Sequence, residues 1–222
     1  MGKLIVIEGT DCSGKGTQSK ILLEKLKNEN KKVVKMSFPM YDTPTGRIIG
    51  GPYLGKESIC KGWFKEGANN VPAKVASLYY AADRLYNIDV INHYLDNDYI
   101  VILDRYVTSN MAYQAGKFND MTERHEMFRW LEKLEYEFLG LPKPDIKVFL
   151  YMPYVFSKKL QNNRQELDEL ETSKEALINA ENAYLEMTDL FDFIKIECVK
   201  NDEIRSIEEI SKELYSKIEN LL

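Results

Sequence analysis

Residues 3–18, KLIVIEGTDCSGKGTQ, carry the clearest structural pattern in the chain. The first half is a β-branched apolar run that stops at a glycine, which is typical of a buried strand. Gly9 to Lys15 then match the phosphate-loop pattern G-x-x-x-x-G-K, and apolar residues follow at helical spacing as far as Asn28. Glycines let backbone N–H groups converge on phosphate oxygens, and a helix N-terminus favours anions. The sequence therefore predicts a strand, a phosphate-binding loop and a helix, in that order.

The residue after Lys15 departs from the complete pattern. There a Ser or Thr follows the lysine and its hydroxyl binds magnesium, whereas here Gly16 follows and Thr17 comes next. This GKGT form resembles the loop of adenylate kinases, so we expect nucleotide binding to persist, with Mg²⁺ bound by Thr17, water, phosphate and a carboxylate. The residues predicted to surround the phosphates are Gly9, Thr10, Asp11, Cys12, Ser13, Gly14, Lys15, Gly16 and Thr17.

The alternation of apolar strands and helices continues along the chain. Four further runs are predicted as strands, namely KKVVKMSF, YIVILDRY, PDIKVFLYM and DFIKIECV. Apolar spacing predicts helices over residues 71–95, 123–139, 155–164, 171–190 and 204–221. Since such strands form parallel sheets covered on both faces, we predict a three-layer α/β fold with a five-stranded parallel sheet. Glycines and prolines are concentrated over residues 38–72, where we expect turns on the substrate side.

Length and composition exclude several classes of protein. A chain of 222 residues with 44% apolar residues fits one domain over residues 1–222. Its formal net charge of -5 offers nucleic acid no general attraction. The three cysteines fit neither a disulfide framework nor a zinc site, and no apolar run approaches membrane-spanning length. We therefore expect a cytoplasmic protein without nucleic-acid or membrane partners.

The third predicted strand ends in the polar segment LDRYVTSNMAYQ. Asp104 directly follows the apolar run, and open parallel sheets bind ligands beyond the carboxyl ends of their strands. A carboxylate there can hold Mg²⁺ or its waters, and the planar guanidinium of Arg105 can bind two phosphate oxygens. The alternative is a structural ion pair between these two residues. We predict Asp104 as a metal ligand and, together with Lys15 and Arg105, as part of the catalytic machinery.

Tyr80 and Arg84 lie four residues apart in a predicted helix and therefore on one face. The ring can stack on a base, and the guanidinium can bond to the edge of that base. The alternative is that the ring packs in the core and the arginine is a surface charge.

Five segments together resemble the thymidylate kinase family. EGTDCSGKGTQ, FPMYDTPTG, AADR, DRYVTSNMAYQ, and RQELDELE with the later YLEM, follow the order and spacing of that family over nearly the whole chain. The resemblance implies a P-loop kinase fold and transfer of the γ-phosphate of ATP to dTMP, with Mg²⁺ as cofactor. It also implies a mobile lid at about residues 157–171 and a homodimer.

The resemblance assigns the phosphate and the sugar of the acceptor to particular residues. Asp11 is the expected partner of the sugar 3′-hydroxyl, and Arg105 that of the acceptor phosphate. Phe38 is expected to form a wall of the monophosphate pocket, with Tyr41 nearby in the substrate site. Tyr113 is expected to crowd the sugar 2′ position.

The base is assigned in the same way. Tyr80 is expected to stack on thymine and Arg84 to contact the edge of the base, while Ser109 and Asn110 face its polar side.

The chain departs from the family pattern at three places. Many members carry an arginine just after FP, where this chain has Met40 and Tyr41. Glu169 stands where the lid often has a basic residue. Some members place a catalytic arginine in the phosphate loop, where this chain has Cys12. The catalytic guanidinium is then expected to come from Arg164, which begins the lid-like segment RQELDELE.

Three other functions stay open from the sequence. A kinase for another nucleoside monophosphate, or for a nucleoside, would keep the same phosphate loop and differ only in the base pocket. A weakly active relative of thymidylate kinase is the second. A GTPase-type switch is the third, but the guanine-reading motif N-K-x-D does not occur in the chain.

Overall fold

A computed structural model describes residues 2–161, 170 and 173–222. Arg164 and Glu169 lie outside the described residues, as does most of the segment 157–171 that is predicted as a lid. The strands are β1 (Lys3–Gly9), β2 (Val33–Ser37), β3 (Ile100–Asp104), β4 (Ile146–Tyr151), β5 (Ile194–Glu197), β6 (Val199–Lys200) and β7 (Glu203–Ile204). The first five form one parallel sheet in the order β2-β3-β1-β4-β5. The predicted five-stranded parallel sheet is therefore confirmed.

The central strand β1 shows why the sheet is apolar on both faces. It pairs in parallel with β3 on one side and with β4 on the other. Its side chains alternate, so that Leu4 and Val6 enter one apolar cluster while Ile5 and Ile7 enter the other. Because the neighbouring strands are parallel, the carboxyl ends of β1 and β3 meet at one edge of the sheet. That edge carries the phosphate loop and Asp104.

Helices cover both faces of the sheet. The α-helices are α1 (Lys15–Asn28), α2 (Pro44–Ile48), α3 (Ala73–Tyr86), α4 (Ile88–Asp96), α5 (Val107–Ala115), α6 (Met121–Glu132), α7 (Tyr154–Gln161), α8 (Lys174–Leu190) and α9 (Ile207–Ile218). Single π-helical turns occupy Ile49–Tyr53 and Lys133–Phe138, and 3₁₀ turns occupy Ala68–Asn70 and Glu219–Leu221. None of the helices in the described part of the chain combines the length and apolar composition needed to cross a bilayer.

Two of the predicted helices differ from those in the structure. The single helix predicted over residues 71–95 is wrong, because α3 ends at Tyr86 and α4 begins at Ile88. The side-chain Nδ2 of Asn87 donates to the carbonyl oxygen of Asp83 at 2.8 Å, and such local bonds compete with the helical ladder. The predicted helix over 123–139 is α-helical only as far as Glu132 and then widens into a π-helical turn.

Two short helices occur where the sequence patterns predicted none. The region 38–72, expected to contain only turns, includes α2 and one of the π-helical turns. The segment after Asp104 forms α5, which begins with a hydrogen-bonded carboxylate described below rather than with a recognisable capping residue.

Candidate active site

The loop between β1 and α1 has the backbone of a phosphate cradle. A Cβ at Gly9 would lie 2.6 Å from the carbonyl oxygen of Leu150, so no side chain fits there. Gly14, just before α1, has φ +80°, in the left-handed region that favours glycine. Cys12 also has a positive φ of 54°. The loop thus curls around the first turn of α1, where backbone N–H groups and the helix dipole attract an anion.

Lys15 is buried inside this loop. Its Nζ donates to the carbonyl oxygens of Gly9 at 3.0 Å and Thr10 at 2.8 Å. Burial, and then the positive charge of Arg105, lowers the pKa of Lys15 to about 8. Thr10 is itself fixed at the end of β4, because its Oγ1 donates to the carbonyl oxygen of Met152 at 2.7 Å and accepts from its N–H at 2.8 Å. The lysine is therefore held next to the space that phosphates would occupy.

The metal-binding prediction concerns Asp104 and Thr17. Asp104 Oδ2 lies 3.7 Å from Nζ of Lys35, and a Cβ at Gly16 would lie 3.4 Å from the same oxygen. Position 16 therefore faces the carboxylate, while Thr17 is exposed and points about 100° further round the helix. Mg²⁺ usually keeps several waters and takes one or two carboxylates plus substrate phosphates, so Asp104 fits a hydrated ion. The described residues contain no cluster of three His, Cys, Asp or Glu side chains suited to a metal.

Arg105 does not form the ion pair with Asp104 that the sequence left open. Its Nη2 lies 4.0 Å from Asp11 Oδ1, and its guanidinium lies 5.6 Å from the centre of the Tyr113 ring. Its backbone has φ 68°, at the turn between β3 and α5, while the charge partner of Asp104 is Lys35. Asp104 therefore lies beside Lys35, whereas Arg105, the next residue in the sequence, lies beside Asp11 and Tyr113.

Eight of the nine predicted substrate residues line one cavity of about 550 Å³. They are Phe38, Tyr41, Tyr80, Arg84, Arg105, Ser109, Asn110 and Tyr113. Asp11, the ninth, lines a neighbouring cavity of about 250 Å³, and Tyr113 borders both. Concave sites lined by aromatic side chains and a few polar groups are typical of small-molecule binding. Leu170, from the predicted lid, also lines the larger cavity.

Tyr80 and Arg84 lie one turn apart on α3, as their spacing predicted. The Tyr80 ring packs edge-on against Tyr53, with centroids 5.8 Å apart. Arg84 is buried, and its Nε and Nη2 both donate to the carboxylate of Glu135, the latter at 2.6 Å. Neither bond uses Nη1, which donates to no side chain or carbonyl in the described ranges. Arg84 is thus a positioned donor at the cavity and not the surface charge of the alternative interpretation.

Asn110 and Ser109 differ in what they can offer a ligand. Asn110 Nδ2 donates to the carbonyl oxygen of Ser77 at 3.2 Å and to Glu135 Oε1 at 3.0 Å. Its Oδ1 is buried and accepts no hydrogen bond from the described part of the chain. The Ser109 hydroxyl instead donates to Glu8 Oε2 at 2.5 Å. Asn110 therefore has an unused acceptor, whereas the hydrogen of Ser109 is already committed.

Glu8 is a site residue that the sequence reasoning missed. Its Oε1 accepts from the backbone N–H groups of Tyr106 and Ser109, at 2.8 and 3.0 Å, and from Oγ1 of Thr108 at 2.8 Å. Its Oε2 accepts from the hydroxyls of Ser109 and Tyr184. Glu8 thus holds the start of α5, next to Arg105, against β1. The signal was present, since a carboxylate at the end of an apolar strand beside a phosphate loop is unusual.

Asp83 and Glu135 were missed as well. Asp83 accepts from the N–H of Met40 at 2.9 Å and from Oγ1 of Thr45 at 2.8 Å, which fixes the segment after Phe38.

Glu135 is fully buried in the π-helical turn after α6. It follows the buried Leu131 by four residues, so its place on the core face could have been read from the helical period.

Comparison with known proteins gives a consistent family. The thymidylate kinase family model matches residues 7–214. A thymidylate kinase from Schizosaccharomyces pombe is 28% identical over 99% of this chain and 93% of its own. A probable thymidylate kinase from Thermococcus kodakarensis is 31% identical over 98% of each chain. The solved thymidylate kinase of Candida albicans, described as having broad substrate specificity, superposes with a TM-score of 0.74 at 27% identity, over 99% of this chain and 92% of that one. The chain belongs to the thymidylate kinase family of nucleoside monophosphate kinases.

Proposed function

We propose that this kinase transfers the γ-phosphoryl group of ATP to dTMP by direct in-line transfer, giving dTDP and ADP. The observation that carries the proposal is the aromatic cavity at the carboxyl edge of the sheet, which reaches the phosphate loop through Arg105 and Tyr113. Phosphoryl transfer leaves the protein mainly positioning and charge stabilisation to do, so no nucleophilic side chain is required.

The donor side is the loop over residues 9–17. Lys15 exchanges its bonds to the carbonyls of Gly9 and Thr10 for contacts with the outer phosphates of ATP. Asp104 and the hydroxyl of Thr17 are proposed to hold Mg²⁺ through its waters. The bound ion would neutralise negative charge on the phosphates during transfer.

The acceptor phosphate and sugar occupy the space between the two cavities. Arg105 binds the phosphate of dTMP, with Phe38 and Tyr41 as walls of the pocket. Asp11 bonds to the 3′-hydroxyl. Tyr113 packs against C2′, which leaves no room for a ribose hydroxyl and favours deoxyribose by steric exclusion.

The base occupies the inner part of the larger cavity. Tyr80 stacks on thymine, and Arg84 donates to its edge from a guanidinium already held by Glu135. Asn110 supplies the acceptor. Ser109, whose hydroxyl is bound to Glu8, contributes mainly by holding this wall in place.

The rest of the proposal concerns the domain, its lid, its cellular location and its oligomeric state. Residues 1–222 act as one domain with a lid at about 157–171, from which Arg164 reaches the transferred phosphoryl group. We propose a cytoplasmic homodimer. Val75, Leu78 and Leu85 of α3 are 41–50% exposed, and such an apolar row on one helix suits an interface.

The test is ADP release from ATP and Mg²⁺ with a panel of deoxy- and ribonucleoside monophosphates. We expect dTMP to give the highest kcat/KM. If dTMP gave no release above the rate without acceptor while another monophosphate did, the assignment of the acceptor would be wrong and the broader nucleotide kinase would replace it.

A further inference from the structure

We propose that Glu135 sets the hydrogen-bonding pattern that the base pocket accepts, by fixing the orientation of both Arg84 and Asn110. This inference rests on the proposed function and adds to it a residue that does not touch the substrate. The pattern selects bases with a ring N–H next to a carbonyl, such as thymine and uracil, against cytosine.

The geometry places one carboxylate behind two base-facing side chains. Glu135 is 0% exposed. Its Oε1 accepts from Arg84 Nη2 at 2.6 Å and from Asn110 Nδ2 at 3.0 Å, and its Oε2 accepts from Arg84 Nε. A buried carboxylate needs such donors to offset its desolvation. The guanidinium and the amide are therefore held by the same group.

Glu135 also decides which way the Asn110 amide points. Both partners of Nδ2, the Ser77 carbonyl oxygen and the Glu135 carboxylate, are acceptors without a hydrogen to donate. An amide turned by 180° would place Oδ1 against two acceptors and lose both bonds. Oδ1 is thus kept on the other side, buried and without a donor from any described residue. A buried acceptor left unpaired has lost its hydrogen bonds to water without replacement, and a ligand N–H would restore one of them.

Asn110 presents the acceptor Oδ1 and Arg84 presents its guanidinium donors to the cavity that both residues line. Thymine and uracil carry a donor at N3–H and an acceptor at O4, so both positions are matched. Cytosine carries an acceptor at N3 and a donor at its 4-amino group. Its acceptor would therefore face the acceptor of Asn110, and its donor would face the donors of Arg84. Sites whose buried polar groups are left unpaired reject the wrong ligand by factors on the order of 10⁴.

The experiment compares kcat/KM for dTMP and dCMP in the parent, Glu135→Gln and Glu137→Gln. Glu137 lies two residues further along the same π-helical turn and is exposed, which makes it a matched control. Glutamine can donate to Asn110, so the amide can turn and present its NH₂ group to the base. We expect the dTMP to dCMP ratio to fall at least tenfold in Glu135→Gln, mainly through KM for dTMP, with KM for ATP unchanged. The ratio should stay within twofold of the parent in Glu137→Gln.

Calorimetric binding of dTMP and dCMP without ATP separates this inference from the proposed function. If the parent does not turn over dTMP, the proposed function is overturned. The ratio of dTMP to dCMP affinity, compared between Glu135→Gln and the parent, still tests the role of Glu135. Should Glu135→Gln fail to fold, Glu135→Asp replaces it, because the shorter side chain keeps the buried charge but withdraws the carboxylate from Arg84 and Asn110. A folded variant of either kind that keeps the parental dTMP to dCMP ratio overturns the role of Glu135.

Discussion

Lys15 links nucleotide binding to pH at the scale of a single residue. Its pKa is lowered to about 8, first by burial, and a bound polyphosphate must raise it again because the anion favours the charged form. Below pH 8 Lys15 of the nucleotide-free protein is already protonated. Above pH 8 Lys15 must take up a proton when ATP binds, so the dissociation constant for ATP rises with pH. We expect ATP binding at pH 9 to be about tenfold weaker than at pH 7, as measured by calorimetry.

Two variants isolate this effect. Lys15→Arg keeps its charge over the whole range, so its ATP affinity should not depend on pH. Lys117 also has a pKa lowered to about 8, by burial, but its Nζ donates to the Val71 carbonyl oxygen at 2.7 Å, away from the loop. Lys117→Arg should therefore keep the parental pH dependence. A flat profile in the parent, or in Lys117→Arg alone, would contradict the assignment.

Among the elements, β1, α5 and α8 are joined through the Glu8 carboxylate. Tyr184 of α8 donates to Glu8 Oε2 at 2.9 Å, and burial, together with the charge of Glu8, raises the pKa of Tyr184 well above its usual value. Its hydroxyl therefore stays protonated. Tyr184→Phe leaves a buried carboxylate one donor short, and we expect the free energy of unfolding to fall by about 1–2 kcal/mol in urea titrations.

Tyr215→Phe is the matched control for that change. Tyr215 also donates to a glutamate, Glu29 at 2.8 Å, but the bond is exposed. Its removal should change the free energy of unfolding by less than about 0.5 kcal/mol. Equal losses of unfolding free energy in the two variants would show that burial of the hydrogen bonds around Glu8 adds nothing to stability.

The elements also show what the sequence could and could not predict. β1 contains the unbroken apolar run of residues 4–7, and the loop glycines have specific backbone tasks, so the strand and the loop were both predictable from local pattern. The division between α3 and α4 coincides with two side-chain bonds from Asn87 to Asp83, which the apolar period does not predict. The pairing of Glu135 with Arg84 joins residues 51 positions apart, and no local rule predicts which carboxylate meets which arginine. Cavity residues on one helix turn, such as Tyr80 and Arg84, were found because their spacing is itself local.

The lid proposed at about residues 157–171 is expected to contribute to catalysis through Arg164, which lies outside the described residues. A guanidinium that engages mainly in the transition state affects kcat more than KM. We expect Arg164→Ala to lower kcat by on the order of 1000-fold, with little change in KM, in steady-state kinetics.

Lys159→Ala is the comparison for Arg164, because Lys159 lies in the part of the same predicted lid segment that α7 covers, with its Nζ 5.0 Å from the Phe156 ring. It should retain kcat. A folded Arg164→Ala variant within about threefold of the parental kcat, about 0.65 kcal/mol of barrier, would remove Arg164 from catalysis. A large loss in Lys159→Ala would transfer the role to that lysine.

At the scale of the whole molecule, the exposed apolar row of α3 predicts a homodimer. Leu78 is 50% exposed, and a charge buried at the interface would oppose association. We expect sedimentation velocity to show a dimer for the parent and a monomer for Leu78→Asp. Leu190, on α8, is equally exposed at 50%, so Leu190→Asp should remain a dimer. A monomeric parent, or equal dissociation of the two variants, would contradict an interface on α3.

Phosphoryl transfer from ATP to dTMP is tested most directly by following the phosphoryl group itself. The protein is mixed with dTMP, Mg²⁺ and ATP that carries a radiolabelled γ-phosphate, and the nucleotides are separated by chromatography. We expect the label to move into dTDP and the transfer to need Mg²⁺. Lys15→Met should abolish most of the transfer, because the donor phosphates lose their buried cation. Label that stays in ATP, or that appears only as inorganic phosphate when dTMP is present, would contradict this expectation.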